Sequence, residues 1–143
     1  MRQWVLSFPF QLRFLLARYP DVMSRVLGIV YRTLSASLKK KAGHTHRTAK
    51  TGAVTLIQRF GSALNLNIHF HMLFLDGVFT TTKQKQTIFV RTKGPSLNEL
   101  NKLVHTMSHR VARYLERQGL LVRDDENIYL QLDHVDDDAM QDL

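Results

Sequence analysis

The spacing of apolar residues predicts a mixture of short strands and longer helices. Runs of β-branched and apolar residues bounded by turn residues predict the strands. These strands are Trp4 to Phe8, Ala53 to Phe60, Ile68 to Leu75, Val78–Phe79 and Thr87 to Val90. The residues from Gly61 to Asn65 predict a turn, as does Asp76-Gly77.

Apolar residues three and four apart predict three helices. The first two run from Gln11 to Arg18 and from Asp21 to Lys41, and residues 42–52 are predicted to be a loop. The third follows Ser96, which forms a capping box with Glu99, and its apolar stripe is expected to face the core. This stripe comprises Leu97, Leu100, Val104, Met107, Val111 and Leu115. The order of elements predicts an α+β fold in which helices pack on an antiparallel sheet.

The charge is divided unevenly along the chain. Residues 1–123 carry all 20 lysines and arginines and only four acids, a balance of +16, whereas residues 124–143 carry eight acids and no lysine or arginine. So basic a region favours a polyanionic partner such as nucleic acid; the alternative is that these cations are only solvated. We predict one domain over residues 1–123 and an acidic tail, ordered only in part, over residues 124–143.

Composition also limits the chemistry and the compartment. The chain has no cysteine, so it can form neither a disulfide nor a thiolate zinc site. No apolar run approaches the roughly 20 residues of a membrane span, and no secretory signal pattern opens the chain. We therefore expect a cytoplasmic protein without a membrane partner.

Two histidines stand one residue apart in the predicted strand from Ile68 to Leu75. Alternate side chains of a strand share a face, so His69 and His71 would lie side by side, opposite an apolar face. That apolar face carries Ile68, Phe70, Met72 and Phe74. Two neutral imidazoles in this arrangement can chelate one metal ion. The alternative is that both histidines are ordinary side chains on the wetter face of a sheet.

A third ligand can be sought on the neighbouring strand. A hairpin register with Phe60 opposite Asn67 places Gln58 opposite His69 and on the same face, whereas a slip of one residue would turn Gln58 away. Two imidazoles and one amide oxygen leave coordination positions open. Such a set suits a catalytic Mg²⁺ or Mn²⁺ more than a closed structural zinc site.

Two other histidine pairs have weaker support. His44 and His46 repeat the same spacing in a basic loop, where no strand would orient them. His105 and His109 are four apart on the third helix and could chelate, but a solvated helix face or a DNA contact is the preferred interpretation.

The segment GAVTLIQRFGSALNLNIHFHMLFLDGVF, residues 52–79, resembles the rolling-circle insertion-sequence transposases of the two-tyrosine HUH class. HUH denotes two histidines around a hydrophobic residue, here His69-Phe70-His71. RQWVLSFPFQLRFLLA at residues 2–17 and RYLERQGLL at residues 113–121 resemble the same family. The similarity extends over about residues 1–135.

The resemblance implies a fold, a cofactor and a reaction. The fold would be ferredoxin-like, with the histidine pair on a central strand holding Mg²⁺ or Mn²⁺ together with a third polar ligand. The reaction would be the nicking and strand transfer of single-stranded DNA at transposon ends through a 5′-phosphotyrosine, in a bacterial cytoplasm at the nucleoid. Candidate phosphate contacts are Lys39, Lys40, Lys41, Arg47, Lys50, Arg59 and Arg91.

The chain departs from the family pattern in two ways. The family's cysteine-rich zinc-binding region has no counterpart, and no two tyrosines are four residues apart. Tyr114 follows the histidine pair on a helix, as a nucleophile would, but it lies beside the apolar stripe and is interpreted as a packing residue. We therefore expect residues 1–123 to be a partial catalytic domain, cut at both ends and inactive by itself.

Two other functions stay open on the sequence. A non-enzymatic nucleic-acid-binding domain of ferredoxin-like shape would expose aromatic residues for base stacking, whereas Phe70 and Phe74 are predicted to lie in the core. The other alternative is an unstable product of a decayed gene.

Overall fold

A computed structural model describes residues 1–60, 66–123 and 128–130 of the chain. Its helices are α1 (Phe10–Arg18), α2 (Pro20–Lys41) and α3 (Leu97–Arg117). Its strands are β1 (Arg2–Ser7), β2 (Ala49–Lys50), β3 (Ala53–Phe60), β4 (Leu66–Phe74), β5 (Gly77–Thr81), β6 (Thr87–Arg91), β7 (Leu121–Arg123) and β8 (Ile128–Leu130). The fold is α+β, as predicted. None of the helices in these residue ranges has the length and apolarity of a membrane-spanning segment.

One prediction differs from the structure, and two others concern residues that the structure does not describe, wholly or in large part. The predicted loop over residues 42–52 is wrong at Ala49 and Lys50, which form β2 because they pair with β5. The predicted turn at residues 61–65 lies outside the described residues, as does most of the acidic tail. Within that tail, Ile128–Leu130 pair with Leu121–Arg123 as a hairpin.

The strands form two antiparallel three-stranded sheets where the sequence predicted one. The order is β1-β4-β3 in the first sheet and β2-β5-β6 in the second. Short links carry the chain between the sheets, from β2 to β3 and from β4 to β5, and the Leu75 N–H donates to the Gly52 carbonyl across them at 3.4 Å. Gly77 is required after the second link because a Cβ there would overlap the carbonyl oxygen of Val90.

One face of the central strand β4 forms one side of the hydrophobic core. The predicted apolar face is confirmed, since Ile68, Phe70, Met72 and Phe74 are all fully buried. Phe8 packs edge-on against Phe70, with 5.0 Å between ring centroids, and Tyr31 of α2 stacks on Phe74 at 5.7 Å. Burying a side chain of this size stabilises a fold by about 1.5–3 kcal/mol, so this one strand holds the helices to one face of the first sheet.

The third helix begins and ends where the sequence predicted. The Ser96 hydroxyl accepts a hydrogen bond from the Glu99 N–H at 3.2 Å, and Gly119 adopts the left-handed conformation, with φ +71°, just after the helix. The predicted stripe is wrong in its first half, because Leu97 and Val104 are 75% and 57% exposed. Only the second half, with Met107, Val111 and Leu115, is buried.

An apolar cavity of about 820 Å³ lies between β1 and α3. Both halves of the helix line it, with Leu100, Leu103 and Val104 from the first half and Met107, Val111 and Leu115 from the second. No titratable side chain lines it, so this cavity is not where we place chemistry.

A pair of matched substitutions tests the division of the stripe. We expect Val111→Ala to lower the free energy of unfolding by about 1.5–2 kcal/mol, because two buried methyl groups are lost. Val104→Ala should leave it nearly unchanged, since the side chain is exposed and alanine favours a helix. Urea unfolding monitored by circular dichroism measures both. Equal losses at the two positions would contradict the burial described here.

Candidate metal centre

The pairing of three strands assembles polar side chains on the face of the first sheet that is opposite the core. Gln58 of β3 pairs with His69, as predicted, so the two side chains share this face. The predicted pairing of Phe60 with Asn67 is wrong: Phe60 pairs with Leu66, because the register shifts between Gln58 and Phe60. Irregularities of this kind commonly lie beside active sites, where they re-aim side chains.

His69 presents one ring nitrogen to the open face. Its Nδ1–H donates to the backbone carbonyl of Asn67 at 2.9 Å, which leaves Nε2 with its lone pair available. A metal-binding histidine usually has its other nitrogen held by such an acceptor. The Oδ1 atom of Asn67 is buried and has no hydrogen-bond partner within the described part of the chain.

His71 lies between two glutamine side chains. Gln58 Oε1 is 2.8 Å from His71 Nε2, and Gln3 Nε2 is 3.3 Å from His71 Nδ1. The Gln58 amide also donates from Nε2 to the Phe60 carbonyl at 3.0 Å, and this bond turns Oε1 toward the histidine. Nε2 of His71 therefore carries the proton, and Nδ1 accepts a hydrogen bond from Gln3.

Gln3 is a site residue that sequence reasoning missed. Its position on β1 opposite Leu73, in register with β4, brings its amide to His71. The sequence showed only that Gln3, Val5 and Ser7 alternate along a strand and so share one face of β1. This could not connect Gln3 with His71 until the pairing of β1 with β4 was known.

The donor set can hold a divalent ion only if His71 changes its tautomer, because its Nε2–H is bonded to Gln58 Oε1 in this structure. Nε2 of His69, Nε2 of His71 and Oε1 of Gln58 belong to one face, and the two imidazole centroids are 6.2 Å apart. Among the described residues no group of three His, Cys, Asp or Glu side chains could hold a metal. A metal bound here would therefore depend on the amide oxygen and on ligands from outside this set.

The face around the histidines is open and largely apolar. Val5 and Leu56 pair with His71 from either side and are 55% and 64% exposed, and Val54 and Leu73 continue the same face. Within the described residues no element covers this surface, so a large substrate can reach both imidazoles.

Tyr114 lies on the other side of the sheet from the histidines. It is partly buried and packs against the core cluster that contains Phe70. Because the core cluster lies on the face of β4 opposite His69 and His71, the sheet separates Tyr114 from both histidines. This placement supports its interpretation as a packing residue.

The candidate phosphate contacts lie on several different elements. Three of them, Lys39, Lys40 and Lys41, are the last residues of α2. Arg47 lies in the loop after this helix and Lys50 in β2. Arg59 lies at the register shift in β3, and Arg91 is the last residue of β6. Lys41 is already engaged, because its Nζ donates to Glu99 Oε2 at 2.8 Å and to the Gly94 carbonyl at 3.2 Å. The hydrogen bond from Lys41 is also the main reason that the pKa of Glu99 is below its ordinary value.

The other histidines that the structure describes lie outside this site. His105 and His109 are exposed on α3, and His44 Nδ1 is 3.1 Å from the Thr48 hydroxyl within its loop.

The fold is α+β, and its first sheet presents a histidine pair on an open face. A family model described as "Putative transposase" (Y2_Tnp) matches residues 52–139, more than half of the chain and the whole of the strands β3 and β4 that carry His69, His71 and Gln58. The chain therefore belongs to this transposase family. No curated protein and no solved structure gave a significant match.

The two histidines are expected to hold opposite neutral tautomers. In the metal-free protein, at a pH where both rings are neutral, ¹⁵N NMR should show His69 protonated on Nδ1 and His71 protonated on Nε2. Gln58→Leu should remove the acceptor at Nε2 of His71 and alter the signals of that ring, while the tautomer of His69 stays the same. Identical tautomers in the unmodified chain would contradict the hydrogen bonds described here.

Proposed function

We propose that this transposase is of the two-tyrosine HUH class and acts on single-stranded DNA at transposon ends. His69, His71 and Gln58 would hold Mg²⁺ or Mn²⁺. The observation that carries the proposal is the convergence of these three side chains on an open sheet face in a chain of the transposase family. The setting would be the bacterial cytoplasm, at the nucleoid.

The charge of the ligand set supports a phosphate substrate. Two imidazoles and an amide are all neutral, so a divalent ion held by them keeps its full charge. An anionic oxygen in the remaining positions would balance it, and a DNA phosphodiester supplies such an oxygen. When bound, the ion would polarise that phosphate as a Lewis acid.

The topology of the first sheet supports a ferredoxin-like fold. Its central strand β4 carries the histidines, its neighbours β1 and β3 are both antiparallel to it, and the helices pack on one face only. The opposite face is left for substrate. The resemblance to HUH enzymes implied one of these features, a histidine pair on the central strand of an antiparallel sheet.

The nucleophile would come from outside the side chains described here. Tyr19, Tyr31 and Tyr114 all pack against the core cluster, on the side of the sheet away from His69 and His71. Tyr129 lies in β8, where the structure describes the strand but not the side chain. We propose that the chain binds metal and DNA but does not nick DNA by itself.

Two histidine pairs of identical spacing provide a matched test of metal binding. We expect His69→Ala/His71→Ala to weaken Mn²⁺ binding by more than about 100-fold, beyond the effect of losing an outer-shell partner. His44→Ala/His46→Ala should leave the affinity unchanged, since no strand orients those rings. Calorimetric titration, with paramagnetic resonance of bound Mn²⁺ as a second readout, measures both. Unchanged affinity in the first variant would favour a non-enzymatic nucleic-acid-binding domain.

No tyrosine lies on the histidine face among the side chains that the structure describes, and this predicts the outcome of a nicking assay. With Mn²⁺ and a labelled single-stranded oligonucleotide, the chain should bind but release no cleaved product. Tyr114→Phe should behave in the same way, because its hydroxyl lies across the sheet. Robust cleavage that Tyr114→Phe abolishes would overturn both the inactivity and the assignment of Tyr114 to packing.

A further inference from the structure

The second sheet exposes a pair of aromatic rings. Phe79 of β5 and Phe89 of β6 are directly paired across the strands, with ring centroids 5.1 Å apart and planes inclined at 56°. They are 42% and 44% exposed, although phenylalanine is usually buried. Neither ring lies on the face that carries the histidines, because that face belongs to the first sheet.

The register shows that this aromatic face points away from the core. Val78, the neighbour of Phe79 in β5, is fully buried, and so is Ala49, which faces the same way from β2. Alternate residues of a strand point to opposite faces, so Phe79 and Phe89 point outward.

Cations share the outward face with the rings. Lys50 pairs directly with Phe79, and Arg91 lies two residues beyond Phe89 on the same face. The hairpin from Gly77 to Arg91 contains three lysines and arginines and no acid. Asp76 borders the patch at one end. The pKa of Asp76 is below its ordinary value mainly because the N-terminal ammonium donates a hydrogen bond to it, with smaller contributions from the charges of Arg2 and Arg91. Lys50 is therefore the cation that we expect to contact a ligand.

We propose that Phe79 and Phe89 form a stacking platform for the bases of single-stranded DNA, with Lys50 at its side to contact the phosphate backbone. Exposed aromatic rings beside cations are the combination that binds single strands, because every base has a stacking face and every nucleotide carries a negative charge. Duplex DNA would bind less well, since its bases are already stacked on each other. This site does not depend on a metal at His69 and His71.

The alternative role of the two rings is to stabilise the hairpin. A cross-strand aromatic pair contributes to the stability of a sheet whether or not anything binds to it. That role predicts that removing the rings affects unfolding but leaves DNA binding unchanged, so the two roles can be separated.

Fluorescence anisotropy with labelled oligo(dT), in EDTA to remove any metal contribution, tests the platform. We expect Phe79→Leu/Phe89→Leu to weaken binding by about tenfold, because leucine keeps an apolar side chain but offers no ring for stacking. The slope of log K against log salt should not change. Lys50→Gln should instead reduce that slope by roughly 0.7, the value for one lost phosphate contact on a single strand.

Matched controls come from elsewhere on the surface. Phe10→Leu removes an exposed phenylalanine that pairs with Phe14 at 4.7 Å on α1, and Lys102→Gln removes an exposed lysine on α3. Neither should affect binding.

Several results would overturn the proposal. The platform is refuted if the double variant unfolds at a lower temperature yet binds oligo(dT) like the unmodified chain. Tighter binding of oligo(rU) than of oligo(dT), by tenfold or more, would refute the assignment to DNA. If the double variant fails to fold, photocrosslinking of the unmodified chain to iodouracil-substituted DNA decides: crosslinks at Phe79 or Phe89 support the platform, and crosslinks only elsewhere refute it.

Discussion

The burial of one face of β4 is the constraint on which the rest of the structure depends. Ile68, Phe70, Met72 and Phe74 are fully excluded from solvent, and all three helices pack over them. A strand cannot bury one set of alternate side chains without turning the other set outward. The packing that stabilises the fold therefore also presents His69 and His71, and a slip that moved either histidine inward would bury a polar ring among apolar ones.

The neighbours of β4 turn this exposed pair into an ordered site. β3 brings an amide oxygen to one nitrogen of His71, and β1 brings an amide donor to the other. The bond from Gln58 to the Phe60 carbonyl orients the first amide, and the bond from His69 to the Asn67 carbonyl orients the second ring. The Gln58 amide and the His69 ring are thus held before any ligand arrives, which reduces the conformational entropy that binding must cost. Binding a metal through Nε2 of His71 would first require its proton to move and its bond to Gln58 to break.

The division into two sheets separates two kinds of surface. The first sheet presents polar donors among exposed aliphatic side chains, and the second presents a pair of aromatic rings with a lysine beside them. Short links at Gly52 and at Leu75–Asp76 join the sheets. Each link is only two residues long, residues 51–52 and residues 75–76.

The amino-acid sequence by itself determined the three helices, five of the strands and the faces of β4, because strand parity and helical spacing are local properties of the chain. It also determined the start of α3 at Ser96, since a cap depends only on neighbouring residues. Only the tertiary structure decided that Leu97 and Val104 stay exposed and that the strands divide into two sheets. The tertiary structure also decided that Gln3 contacts His71. Burial, sheet membership and contacts across strands depend on residues that are far apart in the chain, and no local sequence pattern specifies them.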